Sequence, residues 1–118
     1  MSKAEHFSFV SVMEDMLPLH HADVVGQCEI ILDRLDTRIS LSRKLDADDV
    51  WFTLRLRSFY FFLITGKFLS SGKPDAPLYR PVIAALVGKG EMEERFLEAV
   101  DREIEAPSGK QFALRAAA

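Results

Sequence analysis

The sequence predicts an all-α fold: a small bundle of four or five helices with a central aromatic-rich helix near 49–70. Three observations lead to it. Apolar residues recur at spacings of three and four along residues 24–39, the period of a helix with one buried stripe. Acidic residues stand where helix starts are expected, at 23, at 46–49 and at 91–94, where they can cap free N–H groups and offset the helix dipole. Breakers at Pro18, "SSGKPDAP", Gly88 and Pro107 divide the chain into matching lengths. With 118 residues there is room for one core. We assign a single helical domain to 1–105 and a loose C-terminal tail to 106–118.

The N-terminus is ambiguous. "FSFVSVM" alternates like a strand, whereas "FVSVMEDML" fits a short helix stopped near Pro18. The acidic pair Glu14 and Asp15 favours the helix. In the next segment Asp23 is the expected N-cap. Val25, Cys28, Leu32, Leu35 and Ile39 form an apolar seam that Val24, Ile31 and Leu45 widen. Glu29, Asp33, Asp36, Ser40 and Arg43 occupy the opposite face.

A second helix start follows in "KLDADDV", with Asp46 or Asp48 as cap. Phe52, Leu54 and Leu56 also alternate with Thr53, Arg55 and Arg57 as in a half-buried strand. The acidic cap and an apolar run longer than ordinary strands decide for a helix over 49–70. "SSGKPDAP" is expected to be a loop. "LYRPVIAALVGKG" is a short helix with Pro81 in its first turn and Gly88 at its end. "EMEERFLEAVDREI" is a last helix lined by Met92, Phe96, Leu97, Val100 and Ile104.

Composition narrows the function classes. Apolar residues make up 48% and charged residues 28%, with a net charge of −3, so no overall basic excess points to nucleic acid or membrane. The lone Cys28 excludes an intrachain disulfide and fits a reducing compartment. "MSKAEHFSF" holds no apolar signal-peptide core. The stretch 50–64 is too short to span a bilayer and carries two arginines. A cytoplasmic protein without membrane contact is expected. Charge is segregated: net −5 over 1–50, +5 over 51–90 and −3 over 91–118. Either the segments fold against each other and pair, or the middle forms a basic face for an acidic partner.

The candidate residues lie in "VWFTLRLRSFYFFLI". Arg55 has Trp51 and Phe59 one helical turn to either side. Cation–π contact with them is worth on the order of 1 kcal/mol, but the guanidinium still requires acceptors. We expect an ion pair from Arg55 to Asp33 or Asp36 on the preceding helix. Arg57 points roughly 200° away from Arg55, so one arginine is expected to pair inside and the other to lie at the surface. Seven of the twelve aromatic residues fall between Trp51 and Phe68 and point all round the helix. One small domain has difficulty wrapping such a helix, so a partner is expected to cover part of it. Trp51, Arg55, Arg57, Phe59, Tyr60 and Phe61 are the candidate partner-binding residues.

Other motifs fail on inspection. "GKFLSSGKP" has the wrong glycine spacing for a phosphate loop, and Pro74 stands where a hydroxyl must hold the metal. "LVGKGEMEERFLEAV" has the outline of a helix-hairpin-helix, but Glu91, Glu93 and Glu94 would repel phosphates. His20 and His21, with Asp23, Glu14 and Asp15 nearby, diverge by about 100° on a helix, and no second His pair, ExxH or CxxC completes a metal site. No catalytic residue, cofactor site or metal site is assigned. The expected function is a small cytoplasmic protein–protein interaction module, an adaptor, regulator or inhibitor that associates with a protein partner or with itself as a homodimer. The alternative is nucleic-acid or anionic-ligand binding through the basic 51–90 segment, and an enzyme ranks third.

Overall fold

The computed structural model describes residues 9–44, 46–69 and 74–105. Among them the chain forms α1 (Phe9–Met16), α2 (His21–Leu41), α3 (Ala47–Thr65), α4 (Arg80–Val87) and α5 (Glu91–Glu105), with a 3₁₀ turn at Ala76–Tyr79. The described residues contain no strand, and none of their helices is long and apolar enough to cross a membrane. Leu45, Lys73 and the expected tail 106–118 lie outside the described residues.

The ambiguous N-terminal segment is a helix from Phe9. Phe9, Met13 and Leu17 recur one helical turn apart and are all fully buried or nearly so, so they line one face of the helix. Helix α2 begins at His21, two residues before the expected cap at Asp23. Its N-cap, His20, makes no side-chain bond. The Glu14 carboxylate of α1 takes the role instead, accepting from the His21 backbone N–H at 2.8 Å. Asp23 sits in the first turn, where its charge still faces the helix dipole favourably.

Helix α3 starts as expected. Asp46 is the N-cap, and its carboxylate accepts from the Asp48 N–H at 2.8 Å. It ends at Thr65 rather than 70. Gly66 takes a left-handed conformation (φ 80°), and its N–H donates to the Phe62 carbonyl at 2.8 Å. Glycine reaches this region without a Cβ clash. The early stop frees Phe68 to fold back and stack against Phe62 at 4.4 Å and Tyr79 at 4.9 Å between ring centres. The expected loop is partly the 3₁₀ turn, which brings Tyr79 inward. Helices α4 and α5 keep their expected limits at Pro81, Gly88 and Glu91.

Packing follows from the apolar faces. Helices α2 and α3 form an antiparallel hairpin, the most extensive contact of the fold. The 3₁₀ turn and α4 cover the other side of α3, α5 packs on both of them and reaches α3 through Phe96 against Phe59, and α1 closes against α5 and α2. Phe9, Phe59, Phe62, Tyr79 and Phe96 form one aromatic cluster, with centroid separations between 5.0 and 5.9 Å for the Phe9–Phe62, Phe59–Phe62, Phe59–Tyr79 and Phe59–Phe96 pairs. Full burial of each phenylalanine contributes roughly 1.5–3 kcal/mol. The bundle therefore encloses more of the aromatic helix than its length alone suggests.

Candidate functional site

Helix α3 presents three sides. Thr53, Leu56 and Leu63 are buried on the side toward α2, and Ser58, Phe59 and Phe62 are buried toward the core. The third side carries Val50, Leu54, Arg57, Phe61 and Ile64. At 100° per residue these five fall within an arc of roughly 80°. Leu54 is 52% exposed and Ile64 44%. Val50 and Phe61 are half-buried but do not pack against the core cluster.

The face is pinned to α2 by side-chain bonds. Arg57 donates to the Asp36 carboxylate at 2.5 Å, with 50% and 47% of the two side chains still exposed. One turn further on, the Tyr60 phenol donates to Glu29 at 2.7 Å. That hydrogen bond to a carboxylate pushes the phenol pKa up, with smaller contributions from burial and from the Glu29 charge. At the two ends of the hairpin, Arg38 pairs with Asp49 at 3.3 Å and His21 Nε2 donates to the Leu63 carbonyl at 2.6 Å. The last bond satisfies one of the C-terminal carbonyls of α3.

The expected pairing of Arg55 with Asp33 or Asp36 is not made. Asp36 is taken by Arg57, and Asp33 is exposed. The reason is helical geometry: α2 packs on the side of α3 that carries Tyr60, Arg57 reaches Asp36 from the edge of that side, and Arg55 points away from it. Among the described residues Arg55 makes no ion pair and no hydrogen bond. It is half-buried and lines a shallow groove of about 460 Å³ with Asp48, Asp49, Trp51, Phe52 and Pro81. The paired arginine is thus the surface one. Phe59 is also misplaced as a partner contact, since it is fully buried among Phe62, Tyr79 and Phe96. Of the remaining candidates, Trp51 is 60% exposed on the flank of the face, and Tyr60 and Phe61 are half-buried. Sequence reasoning missed Leu54 and Ile64. The signal available was the 4-3-4-3 spacing of 50, 54, 57, 61 and 64, hidden among apolar residues on every side.

Two of the five described cations of the basic middle segment, Arg57 and Arg80, pair with its acidic flanks. Arg57 binds Asp36, and Arg80 binds Glu93 and Glu94. The hydrogen bond from Arg80 holds the Glu94 carboxyl below the usual carboxylate range. Lys67 and Lys89 are exposed. The Gly90 N–H that a phosphate would need donates to Glu93 at 3.2 Å, the reach-back half of a capping box. Cys28 is fully buried, and burial pushes its thiol pKa up to about 12. The described residues hold no group of three or more His, Cys, Asp or Glu side chains able to ligate a metal.

No protein-family model matches this chain, and no curated protein or solved structure matches it.

Proposed function

We propose that the protein is a small cytoplasmic protein–protein interaction module, an adaptor, regulator or inhibitor, whose docking surface is the outward side of α3. The observation that carries this reading is the exposure of Leu54 and Ile64, with half-buried Val50 and Phe61, along one side of α3. Covering such a face removes apolar area from water without disturbing the core. The partner is a protein that offers a complementary apolar helix, either another chain or this one. A specific complex should bury more than roughly 1,000 Å² in total.

Nucleic-acid binding is the weaker reading. Arg57 and Arg80 spend their charge on carboxylates of the same chain, which leaves few cations to displace counterions from a phosphate backbone.

Sedimentation at micromolar concentration, paired with a pull-down from the native host, tests the proposal. Wild type and Leu54→Asp are compared in both. The expected result is an assembly or a captured partner with wild type that is lost with Leu54→Asp, while the helical circular dichroism stays the same. Complexes indifferent to Leu54→Asp would move the docking surface elsewhere.

A further inference from the structure

We draw no further inference here: the strongest candidate, the shallow groove between the first half of α3 and Pro81 of α4 where Arg55 stands beside Trp51, is lined by Asp48 and Asp49 as well as by that arginine, so its charge selects no one ligand and nothing in the structure shows what fills it.

Discussion

Tyr79 and Ser58 meet inside the core with their hydroxyl oxygens 3.1 Å apart, joining the 3₁₀ turn to the middle of α3. Ser58 Oγ also accepts from the Leu69 N–H at 3.2 Å. One buried serine therefore holds both the turn and the segment that leaves α3. Tyr79→Phe leaves Ser58 one partner and is expected to cost about 1 kcal/mol. Ser58→Ala strands the Tyr79 hydroxyl and the Leu69 N–H together and is expected to cost about 2 kcal/mol or more. Urea unfolding of the two single variants and the double variant should show clear non-additivity.

The two sides of α3 should respond differently to truncation. Phe59→Ala empties the centre of the aromatic cluster and is expected to cost roughly 3–5 kcal/mol. Leu54→Ala removes a side chain that is 52% exposed and should change the stability of the monomer by about 0.5 kcal/mol or less. Thermal melts at low protein concentration separate the two cases.

The α-helical class was readable because most local signals agree: capping acids, breakers and a 3.6-residue period in α2 and α5. Helix α3 was harder. Apolar residues surround it, so periodicity could not say which of Phe59, Phe61 and Leu54 faces outward. The direction of Arg55 was lost for the same reason, because it depends on which side α2 packs. The end of α3 at Gly66 was overrun because Phe68 and Leu69 prolong the apolar run past the glycine. The cap on α2 comes from Glu14, seven residues upstream in a different helix, which no rule about adjacent residues would find.

That cap is testable. Glu14→Ala removes the acceptor for the His21 N–H and is expected to cost about 1 kcal/mol. Glu14→Gln keeps a side-chain oxygen and should recover most of the loss. Hydrogen exchange at the His21 amide should accelerate in the alanine variant alone.

Acid should weaken the junction between α4 and α5. Arg80 holds Glu94 below its ordinary pKa of about 4.5, chiefly by a hydrogen bond. The folded chain then binds fewer protons than the unfolded chain in that range. The contribution is fully present above the unfolded value and is lost as pH falls through the lower, folded one. Both groups are open to water, so the effect is modest. Glu94→Gln is expected to flatten the acid limb of a stability–pH profile and leave the neutral plateau nearly unchanged. Urea midpoints measured from neutral pH down through the carboxylate range check it.

Cys28, the one thiol in the chain, sits at 0% exposure on α2. An alkylating reagent can reach it only when the helical hairpin opens. Its rate of modification in native buffer is therefore a clock for that opening. When reclosing outpaces the reagent, the rate reads the population of the open form; when the reagent is in large excess, it reads the opening rate itself. The chain thus carries its own reporter of how long a closed bundle persists, and one measured without any added label on the surface of α3.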